Sequence, residues 1–473
     1  LLFRSLIPGI QKGERTKTAL MFLYFFIIIA CYWFLKPVRS ALTVEKLGAD
    51  SIRELKLITA FVSAGVVVLY SIMASRLSRE RLVYLVLGTF FWLLVFFSLS
   101  FRYLSQVKIL YYCFYIFLDL FVTVNVTLFW TFLADILNLD SAKRLYGFIG
   151  AGGILGGFFG SFSCNSLVEV TGPATMMLMV TGAYTLVFVL VFALSRRMDA
   201  LHGRDSSPVA PAQKNKLQDA LEGARGAISS PYFILICVLL SCYEIISTIN
   251  DFSFHKSVEL AFAAAPDQHH SLLGIISLYL GGLFGVDLTG FLSGVFGVAL
   301  GRHSLESFFS EFFLLVNIVA VLAQFLLTPF LLRHMTLALF FLPSLILAFS
   351  TGFFFLPVLT MVEVLFLSDN AFNYSVNQTS REMLFVPTRR PDKFKTMAFI
   401  DMFVGRSAKA LAGFVLVLLP LLVTVKTIAD LRWYMLITIG VTLLWVVVAI
   451  GVGAGYKKLC AKREEEAKPC AQP

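Results

Sequence analysis

Two cations close one of the most apolar stretches of the chain. After MFLYFFIIIACYWFL (21–35) the sequence reads Lys36-Pro37-Val38-Arg39-Ser40. Positions i and i+3 are neighbours on a helix, so Lys36 and Arg39 share one face. Together they offer a compact point charge and a planar donor fork, the groups that capture a phosphate or carboxylate. Pro37 weakens the helix locally, and the segment is expected to bend inwards there. The plainer alternative is that both side chains snorkel to headgroups where a membrane span ends. Spacing alone leaves the two open.

More charges lie inside other apolar runs: Asp119, Asp135, Glu244, Asp251, Glu363, Asp369, Asp401, Arg406 and Lys409. A charge at a span centre costs about 2.5–3.5 kcal/mol on insertion scales, so each is expected to face a cavity or a partner. Ion pairs between helices are the plainer role, and the favoured one for Asp135 and Glu363. Asp401 and Arg406 are near enough to pair locally. Asp251 follows Asn250, with His255 and Lys256 one turn further on, which fits a functional cluster and interfacial solvation equally.

Catalytic patterns are missing. Gly150-Ala151-Gly152-Gly153-Ile154-Leu155-Gly156-Gly157 looks like a dinucleotide loop, but that loop needs a preceding strand. Here the flanks read as membrane helix. Gly152/Gly156, Gly153/Gly157 and Gly156/Gly160 instead have the small-xxx-small spacing that lets helices approach closely in lipid. The sequence has no Walker motif, nucleophile elbow or HExxH, so neither an enzyme nor a cofactor is expected. Its seven Cys are scattered without CxxC or Cys/His ligand spacing. They read as buried small hydrophobes, not as zinc ligands or disulfides.

The elements that hold these residues follow from composition. The 473 residues are 58% hydrophobic and 14% charged, with mean hydropathy +0.83, outside the range of soluble domains. One aqueous core of this size cannot hide 48 Phe. Runs of roughly 20 apolar residues can cross a bilayer. They occur near 18–35, 55–75, 82–101, 109–134, 145–165, 173–194, 232–254, 308–331, 335–355, 357–376, 397–423 and 433–455. Such spans are helical because backbone polar groups in lipid must be satisfied internally. The expected fold is therefore an all-α polytopic membrane protein with about 12 transmembrane helices. The first span lacks a convincing cleavage site and reads as an anchor, not a signal peptide.

The net charge of +10 collects in alternate loops, including Arg76/Arg79/Arg81, Lys143/Arg144, Arg196/Arg197/Arg204 and Arg389/Arg390/Lys393/Lys395. That is the positive-inside pattern, with both termini cytoplasmic, and it disfavours a nucleic-acid partner. The longest polar break, 197–231, starts as linker and ends with Leu217, Leu221, Ala224 and Ile228 on one face, an interfacial helix. It separates residues 1–196 from 232–473, six spans in each. Two six-helix halves are the organisation of major-facilitator-like transporters. The apolar, Gly-rich stretch 267–303 is expected to be an insertion that does not span, because one more span would invert the basic loops after it.

Four stretches carry a family resemblance: Ser230-Pro231-Tyr232-Phe233-Ile234-Leu235-Ile236, Ala142-Lys143-Arg144-Leu145-Tyr146-Gly147 in the loop after span four, Ser380-Arg381-Glu382-Met383-Leu384-Phe385-Val386-Pro387, and Asp401 with Arg406 and Lys409. In these, and over most of its length, the chain resembles the nucleotide transporter family, the ATP/ADP translocases of plastids and intracellular bacteria. The family's first-span motif Arg-Asp-Thr-Lys-Asp falls on Lys36–Ser40, with the cations exchanged and both acids lost. A span-seven Glu of the family falls on Asp251, a late Lys on Arg381, and a span-four Glu close to Asp119. Gln378 stands where the family has an acid.

The resemblance implies a secondary transporter exchanging nucleotides or a related phosphorylated anion across a bacterial inner membrane, acting as a monomer in the lipid bilayer. It implies substrate-binding roles for Lys36, Arg39, Arg381, Arg406 and Lys409, and coupling or gating roles for Asp119, Asp251 and Asp401; Glu244, an acid inside an apolar run, is expected to join these acids. Two rivals remain: a proton-coupled carrier of another organic solute, and a membrane scaffold or sensor docking a partner through 267–303.

Overall fold

The computed structural model describes residues 15–77, 79–136, 139–201, 230–265, 304–385 and 400–467, together with 225, 228, 272–276 and 388. Uninterrupted Leu, Phe, Ile and Val give long helices: α1 Arg15–Leu47, α2 Ser51–Arg76, α3 Arg79–Tyr103, α4 Lys108–Ile136, α5 Leu139–Leu167, α6 Pro173–Leu201 and α7 Pro231–Ala264. After them come α8 Leu305–Leu332, α9 Met335–Phe355, α10 at 359–384, α11 at 400–418 and α12 Arg432–Ala467. Among the described residues there is no strand. Eight of these helices are long and apolar enough to cross a membrane, and each span expected from the sequence overlaps a described helix, the one at 397–423 over residues 400–418.

Helix ends depart from the sequence reading in two places. α1 does not stop at Leu35; it continues through Pro37 to Leu47. A proline deletes one backbone donor, and the residues beyond it (Val38, Ala41, Leu42 and Val44) are buried and hold the helix by packing. Gly48 then ends the helix in the left-handed region at φ 81, its N–H donating to the Val44 carbonyl at 3.1 Å. The second departure is 142–147, expected in a loop but lying inside α5. Ala, Lys, Arg and Leu there are good helix formers, and nothing stops the helix.

Among the described residues, three helices contain a π-turn: 323–327 in α8, 373–377 in α10 and 400–404 in α11. In α8 the cause is local. The Ala323 carbonyl accepts both the Thr328 N–H and, at 3.0 Å, the Thr328 hydroxyl, and Pro329, which has no backbone donor, follows directly.

The chain divides into two units. One holds 1–48, 62–212 and 265–318; its central helix is α1, packed on α4, α5 and α6. The other holds 49–61, 213–264 and 319–473; its central helix is α7, packed on α10, α11 and α12. Each unit thus wraps the first helix of its series in the fourth, fifth and sixth. The expected interfacial helix within 197–231 and the insertion at 267–303 lie, apart from isolated positions, outside the described residues.

Candidate functional site

In the first unit the site is built by glycine. A Cβ at Gly152, Gly156 or Gly160 of α5 would run into the carbonyls of Phe22, Phe26 and Ala30 on α1. Both series advance by four residues, so the two helices run in the same direction with their backbones in contact. The glycine stripe is therefore a packing device, and it fixes the next turn of α1. There a Cβ at Gly157 would stand 3.3 Å from Trp33 and 2.5 Å from Asn317 Oδ1 of α8.

Trp33 in turn positions Lys36, whose Nζ lies 4.2 Å from the Trp33 ring centroid, 4.5 Å from Phe313 and 6.0 Å from Tyr32. Phe313 is held by a polar seam between α8 and α5. Asn317 Nδ2 donates to Ser161 Oγ at 2.8 Å and to the Phe313 carbonyl at 2.9 Å, and Asn165 Nδ2 donates to Ser310 Oγ at 3.0 Å. One turn beyond Lys36, the Arg39 guanidinium rests 4.4 Å from the Tyr115 ring of α4.

Lys36 and Arg39 are only 6% and 5% exposed. Such desolvated cation–ring contacts contribute about 2 kcal/mol each. Both cations are thus held on the packed side of α1, well before its end at Leu47. Asp119 lies one helical turn from Tyr115 on α4 and is half-buried. Glu311, a buried carboxylate of α8, stands close in sequence to Phe313.

The second unit carries a chain of ion pairs joining the start of α2 to α7. Asp251 receives Lys56 Nζ at 2.7 Å and has His255 Nδ1 at 3.6 Å. Lys256 bridges Asp50 at 2.8 Å and Glu259 at 2.5 Å. Glu259 also accepts the Ala49 N–H at 3.0 Å. Arg53 pairs with Asp50 at 2.6 Å and lies 4.6 Å from the Phe252 ring. Because Asn250, His255 and Lys256 are buried, interfacial solvation is not their role. Deeper in α7, Glu244 lies 3.5 Å from Lys409 of α11.

The structure therefore brings together three sets: Lys36 with Arg39, Glu244 with Lys409, and Asp251 with Lys56. Arg381 and Arg406 are half-buried on α10 and α11. The Asp401 backbone lies in the α11 π-turn, and its side chain is outside the described residues. Sequence reasoning missed Asp50, Arg53 and Lys56, though their three-residue spacing at the head of an apolar helix was a usable signal. It also missed the rings of Trp33, Phe313 and Tyr115, which single-sequence periodicity cannot separate from ordinary core. Among the described residues no group of three or more His, Cys, Asp or Glu could hold a metal ion.

Comparison with known proteins bears on this arrangement. The sequence profile of the TLC ATP/ADP transporter family matches residues 2–110 and 101–456. The chain is 22% identical over 518 residues to "ADP,ATP carrier protein 3" of Rickettsia bellii, covering 97% of this chain and 98% of the relative. It is 24% identical over 524 residues to "ADP,ATP carrier protein 1" of Chlamydia muridarum, covering 98% and 93%. Among solved structures, a point variant of the nucleoside transporter NupG superposes with TM-score 0.60 at 14% identity, covering 92% of this chain and 98% of that one. A POT family transporter in complex with 5-aminolevulinic acid superposes with TM-score 0.61 at 10% identity, covering 94% and 99%. These likenesses show the fold: an all-α, major-facilitator-like, multi-pass membrane protein. With a family profile matched along almost its whole length, the chain belongs to the TLC ATP/ADP transporter family.

Proposed function

We propose that this protein is a secondary transporter exchanging nucleotides of the ATP/ADP type by alternating access, with Lys36 and Arg39 receiving the phosphates. The observation that carries this is the pair of buried cations on one face of α1, in a chain whose relatives are named ADP,ATP carriers. A polyphosphate leaving water needs its hydration replaced by cations and donors, and a guanidinium fork with an ammonium supplies both. Arg381, Arg406 and Lys409 are the further substrate-binding cations of this reading. Asp119, Glu244, Asp251 and Asp401 serve as coupling or gating acids, Glu244 by holding Lys409.

The moving parts are the six-helix halves 1–196 and 232–473, and the matching environments of α1 and α7 support that repeat. With both termini cytoplasmic in a bacterial inner membrane, Gly48 faces outwards. The ion pairs from Asp50 and Lys56 to α7 then lie at that outer end. The protein acts as a monomer in the bilayer, without enzymatic activity. The test is uptake of labelled ATP into proteoliposomes loaded with ADP and into empty ones. Exchange predicts uptake that depends on internal ADP; equal, background-level uptake in both contradicts it.

A further inference from the structure

Asp369 lies near the middle of α10 and is 0% exposed. Neither of its carboxylate oxygens has a hydrogen bond of good geometry, and no cation pairs with it among the described residues. The groups facing it from α7 are the hydroxyls of Ser247 and Tyr243 and the carboxylates of Glu244 and Asp251. Those two acids already have cations, Glu244 in Lys409 and Asp251 in Lys56. His255 of α7 faces the Phe366 ring of α10, centroids 6.2 Å apart, and its imidazole is turned to Asp251. The third packed element, α9, carries no titratable side chain. On α10 itself the other ionisable groups are Glu363, also buried, Tyr374 in the π-turn, and Arg381 and Glu382 near the helix end.

An ionised carboxylate at this position would lack solvent and have like charges in view. The desolvation penalty for such a charge is several kcal/mol, and titratable groups so placed bind a proton instead. A metal ion is a poorer occupant, since no cluster of metal-binding side chains exists among the described residues. One turn further on, α10 passes into the π-turn 373–377, where Asn377 Nδ2 donates to Asn373 Oδ1 at 2.9 Å. π-turns are places where a helix departs from its regular register. That supplies local freedom for α10 to move against α7.

We propose that Asp369 is a proton-binding site of the transporter. The carboxyl holds one proton while packed against Tyr243 and Ser247 and releases it to water when α7 and α10 part, so substrate movement is linked to one proton. The step is a reversible protonation, with the aqueous phase as donor and acceptor, and needs no other reactant. The site is distinct from the α1 cations and does not depend on the substrate being a nucleotide.

The test has two arms. Infrared difference spectra of purified wild type and Asp369→Asn, at matched secondary structure, are expected to differ by one protonated-carboxyl carbonyl band that fades as pH rises. In proteoliposomes, D369N is expected to keep ATP/ADP counterflow while losing uptake driven by a pH gradient. Ser247→Ala, which retains the acid, is expected to shift the midpoint of the infrared titration. The proposal is overturned if the wild-type and D369N spectra coincide, or if gradient-driven uptake is unchanged in D369N. If wild type fails to move nucleotides at all, the exchange reading falls, and the infrared arm still decides for or against Asp369.

Discussion

Gly160→Ala measures how tightly the glycine stripe sets the position of the cations. The new Cβ meets the Ala30 carbonyl oxygen, with the Ala30 Cα at 2.9 Å and its carbonyl carbon at 3.0 Å. Ordinary contact starts at 3.4 Å and the carbonyl oxygen is the nearest of the three atoms, so α1 must withdraw by about 1 Å, and backbone cannot rotate out of the way as a side chain would. Overpacking of this kind costs about 1–3 kcal/mol. Replacing glycine by alanine inside a helix also gains about 1 kcal/mol of propensity.

Gly150→Ala on the same helix isolates the packing part, because its Cβ meets nothing within 4 Å. The propensity gain is common to both variants and cancels. G160A should therefore be less stable than G150A by about 1–3 kcal/mol, roughly 5- to 150-fold in the folded-to-unfolded ratio. Unfolding in mixed detergent–SDS micelles, followed by tryptophan fluorescence, reads the difference. Equal midpoints for the two variants would refute close helix contact as the reason for the stripe.

Asn317→Ala removes the donor to Ser161 Oγ and leaves buried polar atoms in the α5–α8 seam, costing about 1–3 kcal/mol; an unchanged unfolding midpoint would contradict this. Trp33→Leu keeps an apolar wall but removes the ring nearest Lys36, so Lys36 should react faster with an amine reagent, as read by peptide mass spectrometry; an unaltered rate would contradict it. Asp251→Asn should destabilise by about 1–3 kcal/mol, less than the 3–5 of a fully buried pair because Lys56 and Asp251 keep some solvent. A double-mutant cycle with Lys56→Met should show coupling of at least about 0.5 kcal/mol, and none would mean the pair contributes nothing.

The helices were legible because lipid allows few alternatives: long apolar runs must be helical, and among the described residues they are. The packing role of Gly152, Gly156 and Gly160 was legible too, since four-residue spacing survives in sequence. The continuation of α1 past Pro37 was not. Val38–Leu47 contains Arg39, Ser40, Glu45 and Lys46, which dilute the hydropathy signal, and only burial against neighbouring helices keeps the helix going. That extension is what separates two cations at a membrane edge from two cations inside a bundle. The pairing of Asp251 was equally hidden, because its partner Lys56 lies in α2 and no periodicity links positions so far apart.

Binding of ATP to purified wild type, Lys36→Gln and Arg39→Gln in detergent tests the phosphate-receiving role most directly. Losing one charge-assisted contact worth about 1.5–3 kcal/mol should weaken binding roughly 10- to 150-fold in each variant, with helix content and unfolding midpoint near wild type. Wild-type affinity retained in both variants would show that the phosphates bind elsewhere.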